Sequence, residues 1–165
     1  GNCTLLLNIP PDTDGLIREE DRRSLFMLGD FIRESFGRNL AEEAVLTVKP
    51  EKDRDGKDGS VLLKKGEETW FGNPDGLREL EVEFTWAEER CLNYLVVQEA
   101  IRFSQRVEQF EVYCLDGQGC WKQIEKGTTV GYKRIVPLHG AATKGLKLVI
   151  TDARVAPVLA FTGVY

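Results

Sequence analysis

The feature that most constrains this chain is a series of short runs rich in Val, Ile, Tyr and Phe that fills its second half. They are Glu79–Trp86, Leu92–Ile101, Val107–Leu115, Trp121–Glu125, Thr128–Val136, Leu146–Thr151 and Leu159–Tyr165. Runs of this length at this spacing predict an antiparallel β-sandwich or barrel. Within one of them, Phe110, Val112 and Cys114 alternate with Glu111, Tyr113 and Leu115, the period of a strand with one buried face. Asp116-Gly117-Gln118-Gly119 follows, a string of residues that tolerate positive φ, and it predicts a hairpin turning into Cys120-Trp121.

The first 38 residues follow another pattern. Leu25, Leu28, Ile32 and Phe36 recur at spacings of three and four, with Phe26 and Phe31 widening the stripe. Glu19, Glu20 and Asp21 put negative charge at the positive end of a helix dipole, and Gly37 supplies a stop, so Gly15 to Gly37 reads as one helix. Ahead of it, Thr4–Ile9 has the length and apolarity of a strand buried on both faces, closed by Pro10-Pro11. One strand and one helix cannot enclose a core, so this segment reads as a piece of a larger α/β domain. The domain reading is therefore 1–38 and 39–165, with the charged, glycine-containing stretch Lys49–Lys65 as a solvated loop.

Composition narrows the classes. A chain of 165 residues with 42% hydrophobic and 30% charged residues is globular, and it holds no apolar run long enough to span a bilayer. A formal charge of −5 argues against a nucleic-acid partner. Cys3, Cys91, Cys114 and Cys120 lack paired metal-ligand spacing and read as buried thiols or at most one bridge, with the pairing of Cys114 and Cys120 left open. His139 is the only histidine and has no nucleophile at triad spacing.

Gly1-Asn2-Cys3-Thr4-Leu5-Leu6-Leu7-Asn8-Ile9-Pro10-Pro11-Asp12-Thr13-Asp14-Gly15-Leu16-Ile17 resembles the segment that closes the catalytic barrel of the α-L-fucosidase family of glycoside hydrolases. Leu28-Gly29-Asp30-Phe31-Ile32 stands in place of a helical step of the same family. Leu92–Ile101, Gln105-Arg106-Val107 and Gly127–Arg134 are similar to the discoidin-type, galactose-binding-like domain that follows the barrel in many members. The implied fold is mainly β: a jelly-roll, galactose-binding-domain-like sandwich at 39–165, preceded by the last strand and helix of a (β/α) barrel at 1–38.

The resemblance implies a non-catalytic C-terminal part of a retaining α-L-fucosidase, whose paired carboxylates lie upstream in the family. No catalytic residue is assigned here; Asp12 and Asp14 read as turn formers. The partners implied are the parent's catalytic barrel and fucose- or galactose-containing glycans, and the implied location is extracellular or periplasmic. The alternatives are a true carbohydrate-binding module and a structural spacer. A sugar site needs an aromatic face and a few planar donors and acceptors. The candidates are Trp70, Phe71, Glu99, Arg102 and Tyr132. Gln98-Glu99 with Arg106 or Arg134 reads equally as a buried ion-paired network. No cofactor is assigned. A structural calcium is the one candidate: Glu67-Glu68-Thr69-Trp70-Phe71 resembles the family's calcium-loop step, but Lys64 stands where its aspartate is expected, leaving Asp53, Asp55 and Asp58 as oxygen donors.

Overall fold

The computed structural model describes residues 6–66 and 69–165, and these fall into two compact units divided between Arg38 and Asn39. In the first, Leu6–Pro10 run outside any ladder, so the paired part expected of Thr4–Ile9 is absent among its described residues. Pro11 and Ile17 form an isolated bridge around a turn that Asp12 organises. Its Oδ1 accepts from Asp14 N and Leu16 N, both at 2.9 Å, which is the turn role expected of it. Helix α1, Glu19–Phe36, ends at Gly37 as the sequence predicts but starts at its three acidic residues and not at Gly15, because the bridged turn takes up the residues before it. Gly37 is right-handed rather than left-handed there, and a Cβ on it would lie 2.4 Å from the Arg33 carbonyl oxygen. Close approach, not positive φ, is what calls for glycine at this stop.

The second unit is all β. Its strands are β1 (Val45–Lys49), β2 (Phe71–Gly72), β3 (Leu80–Glu99), β4 (Val107–Leu115), β5 (Trp121–Gly127), β6 (Arg134–Ala153) and β7 (Val158–Val164). All pairings are antiparallel. The long strands β3 and β6 run side by side through both layers of a sandwich. Leu80–Thr85 of β3 sits between β1 and β6, and β6 continues to β4 and β5. Leu95–Glu99 of β3 sits between β6 and β7, with β2 beyond. Register shifts between Thr85 and Arg90, and between Leu92 and Tyr94, mark where the pair crosses from one layer to the other.

The sequence reading had split each long strand in two. Ala87-Glu88-Glu89 is exposed and lies in the register shift between Thr85 and Arg90, where the ladder is interrupted, so it reads as a loop although the strand continues through it. Thr128–Lys133, expected as strand, is instead the connection into β6. Lys49–Lys65 is also not the solvated loop expected: it holds a 3-10 turn, Gly59–Leu63, with Leu62 fully buried, and Asp53 is 5% exposed.

The core lies between the layers. Leu80, Val82, Phe84, Leu95, Val97, Phe110, Val112 and Leu148 are each 0–1% exposed. Burying one such side chain is worth about 1.5–3 kcal/mol. The outer face of the first layer carries the complementary charges, Glu81 with Lys49 at 2.9 Å and Glu83 with Lys147 at 3.0 Å. The predicted hairpin is present: Asp116 N donates to Cys120 O, Asp116 Oδ1 accepts from Gln118 N and Cys120 N, and Gly119 takes a φ of +80°. Cys114 is buried and unpaired. Cys91 and Cys120 are unpaired and exposed, against the expectation of burial, because Cys120 sits at the hairpin and Cys91 on the polar crossing of β3.

Candidate functional site

The predicted sugar-binding residues gather at one end of the sandwich but not as one surface. A cleft of about 660 Å³ is lined by Gln98, Glu99, Ile101, Arg102, Tyr132 and Ala160, among others. Three of the five candidates, Glu99, Arg102 and Tyr132, therefore share a cavity within the volume range of small-molecule sites. Tyr132 is 67% exposed and presents the open aromatic ring.

Glu99 forms the floor. It is 2% exposed, and its carboxylate is spent on the backbone: Oε1 accepts from Arg106 N at 2.7 Å and Val107 N at 3.0 Å, and Oε2 from Gly131 N at 2.6 Å. The ion-paired network expected around Gln98-Glu99 thus takes another form. The arginine side chains are engaged elsewhere, Arg106 with the carbonyls of Phe103 and Ala156, while amide donors hold the buried carboxylate. Glu99 ties the end of β3 to the start of β4 and to the β5–β6 connection, which carries Tyr132.

Trp70 and Phe71 stand apart from the cleft. Phe71 is fully buried in β2 and has no face for a ligand. A two-residue strand is too short for alternation to tell which side chain turns inward. Trp70 packs edge-on to Phe103, with centroids 5.2 Å apart, while Lys57 and Arg102 stand over its ring at 4.2 and 4.5 Å. Its faces are engaged by cations of the same chain. Arg102 thereby links the cleft to this aromatic cluster. Gln98, Ile101 and Ala160 were missed as lining residues; the ladder of β3 with β7 shifts register between Gln98 and Glu99, an irregularity that strict alternation does not reveal.

Two of the three aspartates weighed for calcium, Asp53 and Asp58, serve the backbone. Asp53 Oδ1 accepts from Asp55 N at 2.8 Å and Lys57 N at 2.7 Å, and Asp58 Oδ1 accepts from Ser60 N at 2.9 Å. Among the described residues no three His, Cys, Asp or Glu side chains cluster to hold a metal. Glu67 and Glu68 of the calcium-loop resemblance lie outside the described residues.

These features define an antiparallel β-sandwich that carries a cleft at one end. In sequence and fold the chain is similar to the C-terminal part of GH29 α-L-fucosidases. It is 30% identical over 168 residues to alpha-L-fucosidase 1 of Arabidopsis thaliana, covering 99% of this chain and 33% of that protein. It superposes on a Ruminococcus gnavus GH29 fucosidase solved with fucose at a TM-score of 0.88 and 28% identity, covering 99% of this chain and 34% of that one. It spans about one third of the length of the curated relatives it matches. A chitosan-binding module of Paenibacillus sp. IK-5 shares the fold alone, at 14% identity and a TM-score of 0.65, and 98% of that module is covered. No family model matches the chain.

Proposed function

We propose that this chain serves an α-L-fucosidase as its non-catalytic C-terminal part, with 1–38 closing the catalytic barrel and 39–165 supporting it. The partner is the catalytic domain of the parent, and the parent's reaction is hydrolysis of terminal α-L-fucosyl linkages with retention. The observation that carries this reading is the match of 99% of the chain to one third of fucosidase structures. The residues are consistent with it: Glu99, a buried carboxylate, is committed to three backbone amides. The same similarity is also what supports an extracellular or periplasmic location. No helix among the described residues is long and apolar enough to cross a membrane.

A second reading, that the sandwich contacts carbohydrate, is favoured by the Tyr132 cleft, with its open ring beside Gln98 and Arg102. One assay pair tests both. Incubated with an aryl α-L-fucoside, this chain should release no more aryl alcohol than buffer does. Turnover abolished by a fucose-mimicking iminosugar would overturn the non-catalytic reading. On a glycan array, a saccharide-specific signal lost in Tyr132→Ala would support the second reading, and a blank array would leave support of the barrel as the sandwich's role.

A further inference from the structure

A second concavity, of about 350 Å³, opens among Arg54, Arg78, Arg106, Asp75, Val155 and Ala156. Four separate segments build it: the turn after β1, the β2–β3 connection, the residue leading into β4, and the β6–β7 connection. Arg54 N donates to Gly72 O at 3.0 Å and Leu77 N to Pro74 O at 3.1 Å, so two of these walls are held by backbone hydrogen bonds.

Its charge is unlike that of the rest of the chain. The protein carries −5 overall, yet three arginines and a single carboxylate line this concavity. Several other arginines of the chain have acidic partners: Arg22 with Glu19, Arg33 with Asp30, Arg90 with Glu43 and Arg154 with Glu108. Among the described residues Arg54, Arg78 and Arg106 have no such ion pair. Like charges gathered in a concavity raise its potential, and an oxyanion relieves that repulsion.

Two of the three arginines are pre-positioned. Arg106 donates from Nε to Phe103 O at 2.9 Å and from Nη1 to Ala156 O at 2.7 Å, which fixes its plane and leaves Nη2 uncommitted. Arg54 rests over the Phe103 ring at 5.6 Å. A planar fork held in place loses little entropy on binding, and it matches the paired oxygens of a carboxylate or sulfate. The remaining wall defines the body of the ligand. Val155, 52% exposed, and Ala156 offer apolar surface to a ring, and Asp75 can accept from hydroxyls. Asp75 also opposes a bare inorganic anion.

We propose that this cleft binds an acidic saccharide, a hydroxylated ring bearing a carboxylate or sulfate, independently of the Tyr132 cleft. The test is titration calorimetry on the full chain with galactose 6-sulfate, glucuronic acid, galactose and inorganic sulfate at low and high salt. The acidic sugars should bind saturably and weaken with salt, and galactose should bind at least about tenfold more weakly, since a hydrogen bond to a charged group is worth about 1.5–3 kcal/mol. Arg54→Gln and Arg78→Gln alter exposed side chains and should keep the melting temperature while losing about tenfold in affinity. Equal binding of galactose and its sulfate, or wild-type affinity in the double variant, would overturn the proposal. So would inorganic sulfate binding as tightly as the sugar sulfate, which would mean a free-anion site, or loss of binding in Tyr132→Ala, which would place the ligand in the other cleft. If a variant fails to fold, the salt dependence and the galactose comparison on the unaltered chain decide.

Discussion

Phe84 and Phe26 carry the same ring in opposite settings. Phe84 is fully buried between the layers of the sandwich, and Phe26 is 59% exposed on α1. The contrast holds for whole units: the sandwich buries the inward residue of nearly every turn of its strands, whereas α1 has no buried residue at all. What holds α1 is local, such as the ion pairs of Arg22 with Glu19 and Arg33 with Asp30, which are solvent-exposed and contribute little. An isolated helix of 18 residues is only marginally stable in water. The lesson is that the sandwich satisfies itself, while the apolar residues of α1 are suited to a surface supplied from elsewhere, in our proposal the parent's barrel.

The sharpest way to break this contrast is at the Glu99 clamp. Glu99→Ala leaves three amide donors without their acceptor, at roughly 1–3 kcal/mol for each that stays dry, so urea unfolding should show a loss on the order of 3–6 kcal/mol. Glu99→Gln, which keeps one carbonyl acceptor, should lose less. Equal stability of all three proteins would mean that water replaces the carboxylate and that the end of the sandwich is looser than described. Next in size is the phenylalanine pair itself. Phe84→Ala should cost about 3–5 kcal/mol, and Phe26→Ala about zero, since alanine is the better helix former. Similar losses at both positions would erase the distinction between the units.

A smaller effect concerns pH. Burial pushes the Cys114 thiol up from 9.0 to about 11. The unfolded thiol ionises first, so the contribution of Cys114 is complete below about pH 9 and is lost as pH rises through about 11. Unfolding measured across that window should show an alkaline decline that is shallower in Cys114→Ala. In the native protein at pH 8, maleimide should label Cys91 and Cys120 and spare Cys114.

What was legible in the sequence follows the same division. Strict alternation made β4 and its hairpin readable, because Phe110, Val112 and Cys114 face the core and Asp116 with Gly119 forms the turn. The helix was readable from its spacing and acidic first turn. The continuity of β3 and β6 was not, since a strand crossing between layers is solvated at the crossing and its residues there look like loop. The fold of Lys49–Lys65 was hidden because Asp53 and Asp58 are turn-stabilising carboxylates, indistinguishable by composition from a solvated acidic loop. In the candidate site, Arg102 was legible as a polar residue just past a strand, whereas Tyr132 was a candidate although its segment, Thr128–Val136, reads as strand, and Thr128–Lys133 is in fact a connection. The committed state of Glu99 was not, because its partners are backbone amides that carry no sequence signature. The arginine cleft is assembled from four distant segments, so no local motif announces it.

The central claim, that the sandwich is complete without the first unit, is tested most directly by removing residues 1–38 and following thermal unfolding of 39–165 by calorimetry. Asn39 begins this unit with its own anchors, its Oδ1 accepting from Ala41 N and from Val164 N of β7. The account predicts a monomer with a single cooperative transition within a few degrees of that of the whole chain, as expected when less than about 1 kcal/mol is lost. An aggregated product, or a transition that is broad or lost, would contradict it.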